Sequence, residues 1–235
     1  VIQETVSPLT EPAALSERVY HAILKLLAQG ELASNETLRI DELAAALKVS
    51  PTPVREALAR LEATGLVVRQ QRRGYRVPPP LDLEQVRGLM DARELIEVAC
   101  IIHASEHGGD EFVADLSSAV QAQRAAVEAY QISSAVGRSV GGQSFWGVIE
   151  ADLHFHTTIL NHVGNSFLTL MANALQGQQH RVRQSTEQGI SDAVDALEEH
   201  EAILAAVTTR STETIAAAMR THLHLVGQRA EAAAQ

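Results

Sequence analysis

The stretch Ile149-Glu-Ala-Asp-Leu-His-Phe-His-Thr-Thr-Ile-Leu160 holds an aspartate and two histidines at spacings that can do chemistry. Laid on a helix at about 100° per residue, Asp152 and His156 share a face with Val148, Phe155, Ile159 and Leu160. His154 falls opposite, with Glu150, Thr157 and Asn161. Two later histidines repeat the inward pattern. His200 lines up with Ala193, Ala196, Leu197, Ile203, Leu204 and Val207; His222 lines up with Ile215, Ala218, Met219, Leu225 and Val226. His224, Glu198 and Glu199 point away from those stripes. A lone inward histidine is more often a satisfied core residue than a ligand. Three of them, with an aspartate one turn from one, shift that balance, because facing helices of a bundle readily converge such groups. A buried carboxylate also needs a compensating partner.

One carboxylate and three imidazoles suit a divalent transition metal, Zn²⁺ first, with Ni²⁺ or Mn²⁺ as alternatives; Ca²⁺ would want oxygen ligands. The expected ligands are Asp152, His156, His200 and His222. Catalytic patterns fail on inspection. His200-Glu-Ala-Ile-Leu204 starts like a zincin motif but has leucine where the second histidine must stand, and no Glu-x-x-His pair occurs. No inward carboxylate near the histidines offers itself as a general base, which favours binding over turnover.

The elements that must position these groups follow from periodicity. Helices are expected at 15–28, 40–47 and from near Ser50 to before Gly65, then two short strands within Leu66-Val-Val-Arg-Gln-Gln-Arg-Arg-Gly-Tyr-Arg-Val77. After Pro78-Pro-Pro80 nothing resembles a strand, and helices are expected at roughly 82–107, 110–135, 144–162, 165–186, 189–208 and 211–233. The fold class is therefore mainly α: an N-terminal arm (1–14), a winged helix-turn-helix (15–78), a linker (79–82) and an all-helical bundle (83–233). Charge divides the same way. Residues 1–78 carry 10 Lys and Arg against 9 Asp and Glu, and the remainder carries 9 against 20, within a total of −10. Six arginines fall between 55 and 76, so the first module can meet a polyanion although the whole chain is acidic. The single cysteine, Cys100, excludes an intrachain disulfide and a thiolate-rich metal site. No apolar run is long enough to span a bilayer. A soluble, cytoplasmic protein is expected.

In the third helix Val54, Ala57, Leu58 and Leu61 form the inward stripe, and Arg55 lies off it. Ser50 or Thr52 can cap that helix, with Pro51 and Pro53 in its first turn. Free N–H groups and hydroxyls at a helix start suit phosphate, and an outward arginine suits guanine O6 and N7 in a major groove. The plain alternative is a small domain with Arg55 as a solvated charge. "VSPTPVREALARLEATGLV" followed by "RRGYRV" closely resembles the winged-helix DNA-binding domain of the GntR family of bacterial transcription regulators, over about residues 15–78. The resemblance implies Ser50, Thr52, Arg55, Arg73 and Gly74 as DNA-contacting residues. Many members carry arginine where this chain has Pro51, so an operator sequence does not carry over.

The C-terminal region resembles the FCD ligand-binding domain of the FadR-like branch of that family. The matching elements are "ARELIEVA", "DLHFH", "HVGNSFL", "EEHEAILAAV" and "AMRTHL", covering about 82–230. This implies a divalent metal on the four residues named above and, in many members, a small carboxylic-acid effector coordinating it. Arg93 shares an apolar face with Val86, Leu89, Met90, Ile96 and Cys100, with Glu97 one turn on. The plain reading is an intrahelical ion pair with Glu97. The functional one is a bidentate clamp on the effector carboxylate. Asn165 could also reach the effector, although a helix cap is its ordinary job; His103, His107, His162 and His180 read as surface residues. The expected protein is thus a homodimeric regulator that reads a palindromic double-stranded operator under control of an acid bound at the metal, and not an enzyme. Two alternatives stand beside it: a metal-dependent hydrolase or lyase using an open metal position, and a structural metal with no effector.

Overall fold

The computed structural model describes residues 12–28, 30–71, 73–135, 142–184 and 189–234, and the chain divides between Pro79 and Pro80 into two compact units. Both are built mainly from helices. The first unit runs α1 (Pro12–Ala28), β1 (Thr37–Leu38), α2 (Ile40–Leu47), α3 (Pro51–Ala63), β2 (Val68–Gln70) and β3 (Gly74–Arg76). Helix α1 starts inside the expected arm, because proline is well tolerated in a first helical turn; residues 1–11 of that arm lie outside the described residues. Strand β1 is an element that periodicity missed, since two residues are too short to show alternation. It pairs antiparallel with β3 (Leu38 with Tyr75), and β2 pairs with the other edge of β3 (Arg69 with Tyr75).

The core of this unit is the stripe Val54, Ala57, Leu58 and Leu61 of α3, closed by Val19, Ile23 and Leu27 of α1 and by Leu66, Tyr75 and Val77. Helix α2 ends at Lys48 in the left-handed region (φ 55°), and Val49 N–H returns to the Ala44 carbonyl at 3.0 Å. That turn delivers the chain into α3 within three residues. Arg60 pairs with Glu17 of α1 and stacks 4.2 Å over the Tyr20 ring.

The second unit is a bundle of α4 (Leu83–His107), α5 (Gly109–Ala135), α6 (Gly142–Asn161), α7 (Ser166–Gln184), α8 (Gly189–Thr208) and α9 (Thr212–Ala233). Asp82 opens it with a reciprocal cap: its Oδ1 accepts from Gln85 N–H at 2.8 Å and Gln85 Oε1 accepts from Asp82 N–H at 3.1 Å. Ser211 accepts from Thr214 N–H at the start of α9. Helix α6 begins two residues before the expected Ser144. The core joins Ile101 of α4, Phe112 and Leu116 of α5, Phe155 and Ile159 of α6, Ile203 of α8 and Ile215 of α9. Helix α8 packs against α5, α6 and α9, so the inward faces of α6, α8 and α9 meet. Among the described residues no helix is long and apolar enough to cross a membrane.

One backbone position in the first unit tolerates only glycine. Gly74 has φ +92°, and a Cβ there would stand 2.5 Å from the Leu38 carbonyl oxygen of β1. Gly74→Ala should therefore destabilise the first unit by about 1–3 kcal/mol. Urea unfolding followed by circular dichroism checks this; an unchanged transition would mean the hairpin can shift to make room.

Candidate functional site

Three imidazoles meet in the interior of the second unit, one each from α6, α8 and α9. His156, His200 and His222 are 4%, 0% and 2% exposed, and one ligand atom from each lies within 4.8 Å of the other two. Ring centroids are 5.1 Å apart for His156 and His200, 5.6 Å for His156 and His222, and 4.8 Å for His200 and His222. Two nitrogens on one Zn²⁺ at about 2.0–2.1 Å stand no more than about 4.2 Å apart. Each ring would have to move less than about 1 Å to close on a common ion. The Phe155 ring stacks flat on His200 at 3.7 Å, which fixes that imidazole from one side.

Each imidazole turns Nδ1 toward a polar neighbour. His222 Nδ1 is 2.7 Å from Glu199 Oε2, and Glu199 is gripped in turn by Arg229 at 2.6 and 3.2 Å. His200 Nδ1 is 2.7 Å from Oε1 of Gln123, a fully buried amide of α5. His156 Nδ1 lies 3.6 Å from Glu97 Oε2. His222 Nε2 is buried with no hydrogen-bond partner. Burial, followed by the two neighbouring imidazoles, Arg93 and Arg229, holds His222 well below the usual imidazole value. It is therefore neutral, and a nitrogen with a free lone pair is what a metal needs. These donors fit a borderline cation such as Zn²⁺.

The expected ligands are not all in that set. Asp152 is fully buried one turn before His156, yet the atoms within 4.8 Å of one another belong to the three histidines alone. It faces the same interior as Glu97, whose carboxyl it pushes up. Arg93 is buried as expected, but its guanidinium is occupied: Nε donates to Glu97 Oε1 at 2.7 Å and Nη2 to Oε2 at 3.5 Å. The plain ion pair is the arrangement present. Burial alone would raise Glu97; the Arg93 charge, with His156, outweighs it and keeps the carboxyl below its usual value. Asn165 caps α7, its Oδ1 accepting from Phe167 and Leu168 N–H at 3.0 and 3.3 Å, and it does not line the cavity beside His156. That cavity measures ≈10 Å³, room for about one water, between Glu97 and Cys100 of α4, Ala172 and Gln176 of α7 and Met219 of α9. Burial, then the Glu97 carboxylate, push the Cys100 thiol up to about 11, so no thiolate competes for a cation.

Two inward carboxylates besides Asp152 therefore border the histidines, where the residue pattern suggested no spare one. Glu97 was legible only as the partner of Arg93. Glu199 reads as outward because it sits about 100° from His200, but its side chain reaches across to α9. Gln123 left a readable signal, an amide within the apolar stripe Leu116, Ala119, Val120 and Val127. Arg229, thirty positions from Glu199, left none. His154 and His224 are exposed, His162 bonds Asp115 at 2.8 Å, and His107 bonds the His103 carbonyl at 2.8 Å; the His180 side chain lies outside the described residues.

In the first unit Ser50, Thr52 and Arg55 are all exposed at the start of α3. Ser50 holds the N-cap position, is exposed and makes no side-chain cap bond. Pro51 and Pro53 occupy the first turn, and Pro53 is buried. Arg73 is exposed in the β2–β3 turn, and Gly74 is held by its approach to β1. A helix start with the Thr52 N–H, two exposed hydroxyls and an arginine can grip a phosphate backbone and read a base edge.

Comparison with known proteins agrees with both halves. The FCD domain model matches residues 88–225, and the model for bacterial regulatory proteins, gntR family, matches residues 15–77. The HTH-type transcriptional repressor GlaR of Escherichia coli (strain K12) is 28% identical over 204 residues, 84% of this chain and 87% of the relative. An uncharacterized HTH-type transcriptional regulator in an unstable DNA locus of Streptomyces ambofaciens is 30% identical over 210 residues, 88% of this chain and 81% of the relative. The solved structure of E. coli McbR/YncC superposes with a TM-score of 0.70 at 19% identity, covering 96% of this chain and 99% of that one.

The neutral state of His222 has a consequence for stability in the metal-free protein. An unfolded imidazole takes a proton near 6.5, whereas the folded one does so only well below. Between those values the unfolded state binds more protons, so stability falls as pH drops below 6.5, by up to about 1.4 kcal/mol per pH unit. Glu97 adds its own loss only in the acid range below 4.5. Urea unfolding at pH 7.5 and 5.5 should show a lower midpoint at the acid pH, with a shallower drop in His222→Gln; identical drops would remove His222 as the cause.

Proposed function

The chain belongs to the gntR family of bacterial regulatory proteins and carries a C-terminal FCD domain; from that premise we propose a transcription regulator whose grip on DNA is set by an acid bound at a metal. That it is a DNA-binding transcriptional regulator follows from the family itself. The metal, the acid and the dimer are our reading. The observation that carries it is the meeting of three buried imidazoles from three helices, with His200 and His222 anchored through Nδ1. His156, His200 and His222 would hold the ion, with Zn²⁺ favoured and Ni²⁺ or Mn²⁺ possible by ligand type. Asp152 would join them through a change of side-chain position. The ion would supply a Lewis-acidic anchor for a carboxylate oxygen.

The effector would have to make its own room. An organic acid exceeds a ≈10 Å³ cavity, so the bundle must open around it. Ala172 and Gln176 bring α7 into one wall, which makes α7 the element to be displaced. Arg93 would serve as the carboxylate clamp by exchanging Glu97 for the ligand, an exchange of one bidentate partner for another. Coupling requires that the acid bind the opened arrangement more tightly; about 1–3 kcal/mol of difference gives a usable switch. A second reading keeps the ion purely structural, and the small cavity favours it. The alternative of a hydrolase or lyase would need a free general base, and in the arrangement present Glu97 and Glu199 are both paired with arginines.

A two-fold assembly would match a palindromic operator. What supports a homodimer is an apolar stripe on α7, Phe167, Leu170 and Met171, exposed by 75%, 68% and 44%, together with Leu95 of α4 at 76%. Such a regulator would act in the cytoplasm, where bacterial DNA lies.

Metal analysis of the purified protein should find close to one divalent ion per chain, lost in His200→Ala. A thermal-shift screen of small carboxylic acids on the metal-loaded protein should then give stabilising hits that alter operator affinity. Metal without any responsive acid would leave the structural-ion reading standing, and protein free of Zn²⁺, Ni²⁺ and Mn²⁺ would end both. For the DNA half, Arg55→Ala should weaken operator binding by about 1–3 kcal/mol in fluorescence anisotropy. The wild-type titration should saturate at two chains per duplex; unaltered binding by the variant removes the Arg55 contact, and a single chain per duplex removes the dimer.

A further inference from the structure

We infer that Glu199, held by Arg229, is a positioning residue that fixes His222 as an Nε2 donor, with buried Gln123 doing the same for His200. The inference rests on the metal reading above and assigns the residues that make the site competent before any ion arrives. Its basis is which ring nitrogen faces what. A neutral imidazole carries one proton, and whichever nitrogen holds it cannot bind a cation. Glu199 as a carboxylate has no proton to give, so at 2.7 Å from Oε2 the Nδ1 of His222 must be the donor. The lone pair then lies on Nε2, the buried ring nitrogen that has no hydrogen-bond partner.

Glu199 cannot easily turn away from this task. Arg229 donates Nη1 to its Oε1 at 2.6 Å and Nη2 to its Oε2 at 3.2 Å, so both oxygens are engaged and Oε2 serves the arginine and the histidine together. Its side chain is 10% exposed, which keeps water from taking its place. Arg229 and His222 are seven apart on α9, on one face, and Glu199 comes from α8 immediately before His200. Two adjacent residues of α8 thus serve the same centre differently: His200 as a donor, Glu199 as the brace for the donor of the next helix. Gln123 supplies the matching contact for His200 from α5, at 2.7 Å. An amide can donate or accept, so it fixes the tautomer only when its oxygen faces the ring. The carboxylate admits one answer, which makes Glu199 the decisive brace.

The test uses full-length, metal-free protein and Zn²⁺ alone. Competition titration should show Glu199→Ala binding Zn²⁺ about 10–100-fold more weakly than wild type, with Glu199→Gln between them because its amide oxygen still accepts. Long-range ¹H–¹⁵N spectra of the metal-free wild type should show His222 protonated at Nδ1 and bare at Nε2, and a mixture of tautomers in the alanine variant. A wild-type His222 that carries its proton on Nε2, or an alanine variant with wild-type Zn²⁺ affinity and an unchanged spectrum, overturns the assignment. If Glu199→Ala does not fold, the wild-type spectrum and the glutamine variant decide. If wild type takes up no Zn²⁺, the metal reading falls while the spectrum still reports on Glu199.

Discussion

The C-terminal half depends on keeping three buried imidazoles together where an apolar core would otherwise close. A buried polar group without a partner costs free energy, so each ring is bound into a network: Gln123 behind His200, Glu199 and Arg229 behind His222, and Glu97 with Arg93 beside His156. These partners come from α4, α5, α8 and α9, so the polar centre ties together helices whose apolar faces pack around it. Phe155 stacked on His200 joins the two kinds of packing. The same low-dielectric surroundings that keep His222 uncharged would strengthen its attraction for a cation.

The N-terminal half solves a different problem, presenting a helix end to a polyanion on a rigid base. Its rigidity comes from α1 packed on α3 and from the surface cluster of Arg60, Glu17 and Tyr20 that ties the two helices together. Proline-led α3 and the left-handed turn at Lys48 set the angle at which Ser50, Thr52 and Arg55 emerge. The hairpin carrying Arg73 is pinned at Gly74 by its close approach to β1. In each case a backbone constraint, not a side-chain contact, decides where the basic groups stand.

Were the second unit the sensor proposed above, the narrowness of the cavity would be a functional property. A site already open would bind its ligand without changing anything, and only a ligand that prefers one arrangement can move an equilibrium. In the reading proposed above, space for one water beside His156, with α7 as a wall and the Arg93–Glu97 pair as a neighbour, would make occupancy and rearrangement the same event. The coupling would then lie in the difference between Arg93 holding Glu97 and Arg93 holding a ligand.

Periodicity was enough for much of this. The helices of both units, the inward faces of His156, His200 and His222, the outward faces of His154 and His224 and the apolar stripe of α3 could be read from spacing, because burial repeats every 3.6 residues and a helix is a local object. What spacing could not supply was any distance between helices. That Asp152 stays outside the trio within 4.8 Å, that Glu199 reaches across to His222, that Arg229 and Gln123 belong to the centre and that Arg93 is already engaged were decided by packing. Strand β1 escaped for a related reason, since two residues mean nothing until β3 lies beside them. Sequence sets which face a residue takes; only the tertiary fold sets whom it meets, because those partners lie tens of residues away along the chain.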